Sequence, residues 1–154
     1  MIEITDRERI RSIRLNRPEA KNAFNEAMYD AVTEALIEAD EDPEIAVVVL
    51  TGTGDSFSSG TDVNEMAERT SGAAFTPGQH GFTGLADELI QFSKPLLCAV
   101  NGIGLGIGVT VLGLADLVFM ADDARVKCPF TSLALAPEAA SSFTFPQLLG
   151  KQNA

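Results

Sequence analysis

The chain has 154 residues, a formal net charge of −11 and 45% hydrophobic residues. This composition predicts one globular domain over residues 1–154 and excludes a disordered chain, while the acidic balance argues against nucleic acid and membrane partners. Cys98 and Cys128 have neither metal-ligand nor CxxC spacing, and no signal-peptide pattern precedes the first strand. We therefore expect no metal site and a reduced, cytoplasmic protein.

The first third of the chain predicts a hairpin, a helix and a buried strand. Ile2 to Asn16 is interpreted as two short strands joined by a turn near Asp6 to Glu8. The clearest helix runs from Asn25 to Asp40, with Asn25 as its N-cap. One face of this helix carries Met28, Val32, Leu36 and Ala39. The β-branched run from Ile45 to Thr51 is typical of a strand buried on both faces.

The next segment is predicted to hold loops and two helices. Gly52 to Thr61 is rich in Gly, Ser and Asp and is interpreted as a loop. A short helix is expected from Asp62 to Glu68, capped by Thr61 or Asp62. Ser71 to Gly81 has no hydrophobic period, so we expect a mobile segment over a site or at the surface. Apolar residues at helical spacing predict an amphipathic helix from Phe82 to Phe92.

The stretch from Leu96 to Ala121 organises the rest of the chain. Its apolar ends predict strands at Leu96 to Val100 and at Leu117 to Ala121. Between them, a glycine-rich turn leads into an apolar helix, Val109 to Leu114. The glycines of this turn are Gly102, Gly104, Gly106 and Gly108. The stretch is long enough, and carries few enough charges, to cross a membrane. The Asn-Gly turn and the glycines argue against a membrane span.

The glycine-rich turn has two further interpretations, which the residues alone leave open. It does not have the G-x-G-x-x-G spacing of a dinucleotide site. The glycines serve either close helix packing or an exposed row of backbone N–H groups at a helix start. Strand and helix alternation predicts a mainly parallel sheet, so the loops after Thr51 and Val100 should lie side by side. Two such loops can present two N–H groups to one oxygen, which is the geometry of an oxyanion hole.

The end of the chain contains one carboxylate in an unusual setting. An edge strand is expected at Val126 to Cys128, and a short helix capped by Thr144, with Pro146 in its first turn and Gly150 beyond it. Glu138 is the only charge between Leu133 and Phe145. An apolar setting raises the pKa of a carboxylic acid and makes it a suitable general base, although most glutamates are simply solvated. His80 has no evident partner, and the serines near Ser58 form no nucleophile elbow.

Four segments together resemble the crotonase, or enoyl-CoA hydratase/isomerase, superfamily. They are Leu15 to Asn25, Ser56 to Met66, Lys94 to Asp116 and Ala136 to Gly150. The resemblance implies an α/β fold, a spiral of ββα units with a mainly parallel sheet and crossover helices, but without the family's C-terminal helical region. It implies an acyl-CoA thioester as ligand, with coenzyme A as part of the substrate and no separate cofactor. It also implies a homotrimer or hexamer when the protein is complete.

The resemblance assigns site residues by position. The N–H groups of Thr61 and Ile107 would form the oxyanion hole. The coenzyme A site would be bordered by Lys21, Ala23, Ser59, Gly60, Thr61, Asp62, Val63 and Gly106. The two glutamates of the family's hydratases would fall at Thr110 and Phe130, and neither position is acidic here.

The segment around Glu138 is similar to peroxisomal-type Δ3,Δ2-enoyl-CoA isomerases, in which this glutamate is the catalytic base. The resemblance therefore implies that the double bond of a 3-enoyl-CoA is shifted to give the 2-enoyl-CoA. Two alternatives remain open. One is another crotonase chemistry, such as a hydratase or thioester hydrolase that uses Asp62 or Glu65 as its acid. The other is a non-catalytic module that binds acyl-CoA.

Overall fold

The computed structural model describes residues 1–71 and 75–154, and in that part the fold is built from two sheets with helices between their strands. The strands are β1 (Ile2–Arg7), β2 (Ile10–Leu15), β3 (Val47–Gly52), β4 (Ser56–Ser58), β5 (Leu96–Val100), β6 (Ile103–Leu105), β7 (Leu117–Met120) and β8 (Arg125–Lys127). The helices are α1 (Glu26–Glu41), α2 (Val63–Ser71), α3 (Gly81–Gln91), α4 (Ile107–Thr110) and α5 (Ser141–Leu149).

The larger sheet has the strand order β1-β2-β3-β5-β7, and the smaller one has the order β4-β6-β8. Strand β1 is antiparallel to β2, and every other pairing is parallel. Each of the pairs β3-β4, β5-β6 and β7-β8 therefore contributes one strand to each sheet before the chain enters a helix or helical turn. This repeat confirms the predicted spiral of ββα units.

Helix α1 begins and packs as its sequence predicts. The Asn25 side chain accepts a hydrogen bond from the Met28 N–H at 2.9 Å, which confirms it as the N-cap. The predicted face is buried against the large sheet and α3. It consists of Met28, Val32, Leu36 and Ala39.

Replacing Asn25 with alanine should lower the free energy of unfolding by about 1 kcal/mol, because the α1 terminus loses its side-chain acceptor. Urea unfolding checks this. The exposed Glu34, replaced by alanine on the same helix, is the control and should have a smaller effect. Equal losses for the two variants would mean that the cap contributes nothing specific.

Several predicted boundaries are wrong, and the most important error concerns short strands. The hairpin turn lies at Glu8 and Arg9, where φ is positive, one residue later than predicted. The segment Gly52 to Thr61 is not all loop, because it contains β4. Strand β6 lies inside the glycine-rich stretch for which the sequence predicts a turn. Strands β4 and β6 of the smaller sheet have three residues each, which is too short for an alternating pattern to be recognised.

The last helix also begins earlier than predicted. Helix α5 starts at Ser141, so Thr144 lies inside it and is not its cap; Ala140, in a left-handed conformation, precedes it. Pro146 is in the middle of the helix, and Gly150 follows its end as predicted. Strand β7 and helix α5 expose large apolar side chains, with Phe119 61% and Phe143 65% exposed.

The predicted mobile segment, Ser71 to Gly81, includes residues 72–74, which lie outside the described residues. Gly81 is the first residue of α3, and the segment before it is bound to α1. The Asp30 carboxylate accepts hydrogen bonds from the N–H groups of Gln79, His80 and Gly81.

Among the described helices, none is long and apolar enough to cross a membrane. The described residues also contain no group of three or more metal-ligating side chains.

Candidate active site

A small cavity lies where the end of β4, the end of β6 and the segment before α5 meet. Its volume is about 180 Å³. Its lining consists of Ser59, Gly60, Thr61, Val63, Met66, Leu105, Gly106, Ile107, Pro129, Phe130, Leu133, Leu135 and Glu138. Most of these side chains are apolar, and among the described residues that line the cavity Glu138 carries the only charge. All three residues predicted to do the chemistry, Thr61, Ile107 and Glu138, are thus brought to one cavity.

Two glycine loops approach each other closely at this cavity. A Cβ atom built on Gly106 would lie 3.8 Å from the Cα atom of Gly60. Both glycines have positive φ, +94° at Gly60 and +51° at Gly106, a backbone conformation that residues with a side chain rarely adopt. The predicted pairing of two glycine loops is therefore present. The loops follow the short strands β4 and β6, however, and not β3 and β5 directly.

A single parallel bridge to Phe24 fixes the direction of the Thr61 N–H. The Phe24 N–H donates to the Gly60 carbonyl at 2.8 Å, and the Asp62 N–H donates to the Phe24 carbonyl at 2.7 Å. In a parallel bridge the residue between those two partners directs its own N–H to the opposite side. Thr61 is that residue, so its N–H points away from Phe24.

The Ile107 N–H is free of the helix that follows it. Ile107 is the first residue of α4, and the N–H groups of Val109 and Thr110 both donate to the Gly106 carbonyl, at 2.8 and 3.0 Å. The first N–H of a helix has no carbonyl acceptor within the helix. The buried Ile107 side chain anchors this helix start in the core.

Close packing, one of the two interpretations of the glycine-rich stretch, is confirmed at Gly108. A Cβ atom on Gly108 would lie 2.6 Å from the Ser58 carbonyl oxygen, so this glycine allows α4 to pack directly on β4. Gly106, with positive φ, precedes the first residue of α4 and lines the cavity. The other interpretation, an exposed row of N–H groups at this helix start, stays a prediction.

The Glu138 carboxylate lies in the same cavity, close to the Gly106 loop. Its Oε1 atom lies 4.0 Å from the position of a Cβ atom on Gly106. The Ser141 N–H donates to the Glu138 carbonyl at 2.9 Å. The two residues between them, Ala139 and Ala140, have positive φ. Burial raises the pKa of the Glu138 carboxyl, as its apolar sequence setting predicts. The site thus combines a basic carboxylate with two N–H donors for which residues 1–71 and 75–154 provide no acceptor.

A family model described as enoyl-CoA hydratase/isomerase matches residues 5–154. The chain belongs to the enoyl-CoA hydratase/isomerase family. A solved enoyl-CoA hydratase from Mycobacterium marinum is 58% identical, with a TM-score of 0.93 over 98% of this chain and 70% of its own. Human enoyl-CoA delta isomerase 2 is 38% identical over 98% of this chain and 39% of its own length. Mouse peroxisomal enoyl-CoA delta isomerase 3 is 39% identical, over 99% and 49%.

These comparisons identify the enzyme family but do not decide which of the family's reactions applies to this chain. The chain spans less than half the length of the human and mouse isomerases. Hydratases and isomerases both occur among its relatives. The choice between the two reactions therefore depends on the residues of the cavity.

The residues that the family resemblance assigns to coenzyme A lie mostly around a second, adjoining cavity of about 290 Å³. It is lined by Ala20, Ala23, Ser59, Thr61, Asp62, Val63 and Asn64. Ser59, Thr61 and Val63 border both cavities, so one ligand could extend from one to the other. Lys21 does not line the second cavity with its side chain. Its carbonyl accepts a hydrogen bond from the Ser59 N–H at 2.9 Å.

Neither alternative acid, Asp62 or Glu65, lines the first cavity, which contains Glu138. Asp62 accepts a hydrogen bond from Arg17 at 3.0 Å. Burial by itself would raise the pKa of Asp62, but the hydrogen bonds from Arg17 and from backbone N–H groups outweigh it and lower the pKa. Glu65 accepts a hydrogen bond from the Glu26 N–H at 2.8 Å. Both carboxylates therefore hold the backbone around the site together.

Sequence reasoning missed three residues that shape this site. Arg17 joins Asp62 to the Ala23 carbonyl, to which it donates at 2.8 Å. Tyr29, on the buried face of α1, forms a hydrogen bond with the Thr61 hydroxyl, with 2.8 Å between the oxygens. Met66 adds an apolar wall from α2. Only Tyr29 gave a signal, as the single tyrosine of the chain, next to the apolar face predicted for α1.

Proposed function

We propose that this chain forms the catalytic part of a Δ3,Δ2-enoyl-CoA isomerase. The observation that supports this most directly is the position of Glu138, a carboxylate of raised pKa in one cavity with Thr61 and Ile107 and close to Gly106. An allylic double-bond shift needs one base and an oxyanion hole, and no second carboxylate. The acyl-CoA thioester would lie with its coenzyme A part in the adjoining cavity.

In this proposal Glu138 takes a proton from C2 of the 3-enoyl-CoA. The electrons of that C–H bond move towards the thioester carbonyl and form a dienolate, whose oxygen accepts hydrogen bonds from the Thr61 and Ile107 N–H groups. Each such donor is worth about 3–4 kcal/mol at a transition state. The protonated Glu138 then delivers the proton to C4, which leaves the double bond between C2 and C3 and restores the carboxylate.

Hydration is the second candidate, favoured by the 58% identity to the solved Mycobacterium marinum hydratase. Adding water to a double bond requires a base for the water and an acid for the carbon. The family's two glutamate positions hold Thr110, which is buried, and Phe130. Among the described residues that line the cavity, Glu138 alone could serve in either role.

The test that separates the two reactions supplies the protein with a 3-enoyl-CoA and, separately, with a 2-enoyl-CoA. Mass spectrometry of the products detects added water, and the ultraviolet absorbance of the conjugated 2-enoyl thioester detects the shifted bond, which leaves the mass unchanged. We expect isomerisation of the first substrate and a much slower addition of water to the second. Efficient hydration without isomerisation, or no turnover of either substrate, would refute the proposal.

The pH dependence of kcat/KM should report the raised pKa of Glu138. Only the carboxylate form can accept the C2 proton, so activity is present above this pKa and is lost as the pH falls through it. The acid limb should therefore lie above the range of an ordinary glutamate. The exposed Glu34→Gln variant should have the same limb. A limb in the ordinary carboxyl range would contradict the assignment of Glu138 as base.

The homotrimer or hexamer and the cytoplasmic location stay predictions, as does the absence of a separate cofactor.

A further inference from the structure

The Tyr29 and Thr61 hydroxyl groups are joined by one hydrogen bond whose direction matters for the site. Tyr29 is 1% exposed, and its ring packs on Phe24 and Phe82, with centroid distances of 5.0 and 6.0 Å. Thr61 is only partly buried and lines both cavities. The pair therefore links the core of the fold to a residue at the oxyanion hole.

Burial decides which hydroxyl donates. Among residues 1–71 and 75–154, the Tyr29 hydroxyl has one hydrogen-bond partner, Thr61 Oγ1. If Thr61 donated, the Tyr29 proton would be buried without an acceptor, which is unfavourable. Burial also raises the pKa of Tyr29, and the Glu138 charge adds to that effect, so the phenol keeps its proton. Tyr29 therefore donates to Thr61, and the Thr61 hydroxyl proton is free to turn towards the cavity.

We propose that the Thr61 hydroxyl is a third hydrogen-bond donor to the thioester oxygen, and that Tyr29 is the positioning residue that holds it there. This inference rests on the proposed function. Thr61 would then contribute two donors, its backbone N–H and its side chain. A donor that is already oriented stabilises the developing negative charge without having to reorganise during the reaction.

Four variants test this proposal: Thr61→Val, Thr61→Ser, Tyr29→Phe and the double variant that combines Thr61→Val with Tyr29→Phe. Thr61→Val and Tyr29→Phe should each lower kcat for isomerisation by about tenfold to a hundredfold, with little change in KM. The double variant should be no slower than Thr61→Val alone, because Tyr29 acts through the hydroxyl. Thr61→Ser, which keeps the hydroxyl, should recover most of the loss.

A spectroscopic readout keeps this test separate from the isomerase assignment. Acetoacetyl-CoA forms an enolate that absorbs in the near ultraviolet, and an oxyanion hole increases the enolate fraction of the bound ligand. Thr61→Val and Tyr29→Phe should reduce this absorbance, whereas the Kd of butyryl-CoA, which lacks the second carbonyl that favours an enolate, should change much less.

Three outcomes are decisive. A reduced enolate signal in both variants supports the proposal even if the protein isomerises nothing, in which case only the proposed function fails. An enolate signal and kcat equal to those of the parent protein would overturn the third donor and leave the isomerase intact. A parent protein that fails to stabilise the enolate would overturn both.

Discussion

Replacing Glu138 with glutamine should lower kcat for isomerisation by about 10²- to 10⁴-fold, the contribution of a well-placed acid-base group. Glutamine has nearly the same volume as glutamate but cannot take the C2 proton. The backbone donors at Thr61 and Ile107 remain, so the Kd of a saturated acyl-CoA should change little. Stopped-assay kinetics and calorimetric titration measure the two quantities on the same protein.

The Glu138→Gln variant should also be at least as stable as the parent protein at neutral pH. The raised pKa of Glu138 means that the folded protein favours the protonated carboxyl. The stability that the protonated form contributes is lost as the pH rises through that pKa. Glutamine stays neutral at every pH and avoids the loss. Glu34→Gln, on the exposed side of α1, is the matched control for activity. Comparable turnover in Glu138→Gln and this control would remove Glu138 from the mechanism.

Replacing Gly108 with alanine should damage both stability and activity. The new methyl group would lie 2.6 Å from the Ser58 carbonyl oxygen and 2.9 Å from the Ser58 Cβ, so α4 must move away from β4. Overpacking of this kind lowers the free energy of unfolding by about 1–3 kcal/mol. The movement also displaces the adjacent Ile107 N–H, and loss of one oxyanion-hole donor costs about 10²- to 10³-fold in kcat.

Gly113→Ala, at the end of the same helical stretch, is the comparison for Gly108→Ala. The three atoms nearest to its methyl group would be side-chain atoms of Thr144 and Phe145, so the strain falls on α5 and not on β4. We expect a loss of stability with little effect on kcat. Chemical unfolding and steady-state kinetics of the two variants check this. An active, stable Gly108→Ala protein would mean that contact with β4 does not set the position of the N–H.

The sequence predicted the parts of this fold whose pattern is long or strongly bounded. The interior of α1 has apolar residues at helical spacing and a polar cap, and β5 lies between Pro95 and Asn101, so both were found nearly residue for residue. Strands β4 and β6 were missed because each has only three residues in a segment rich in glycine or serine, which resembles a loop or turn. They form because the smaller sheet pairs them, which is a long-range effect.

The site was predictable only in part for the same reason. Glu138 was found because a charge in an apolar segment is unusual, and its raised pKa agrees with that setting. Thr61 and Ile107 were assigned through the family resemblance, since a backbone N–H leaves no mark in composition. The Tyr29 contact and the ion pair between Arg17 and Asp62 join residues 32 and 45 positions apart, and no local pattern reports such pairs.

The most direct test of the central claim follows the transferred proton. A 3-enoyl-CoA deuterated at C2 is converted in ordinary water, and the 2-enoyl-CoA formed in the first turnovers is examined for deuterium at C4. Because Glu138 is half-buried in an apolar cavity, we expect a substantial share of the deuterium to be carried from C2 to C4. A product with only solvent hydrogen at C4 from the first turnover would contradict transfer by a single base.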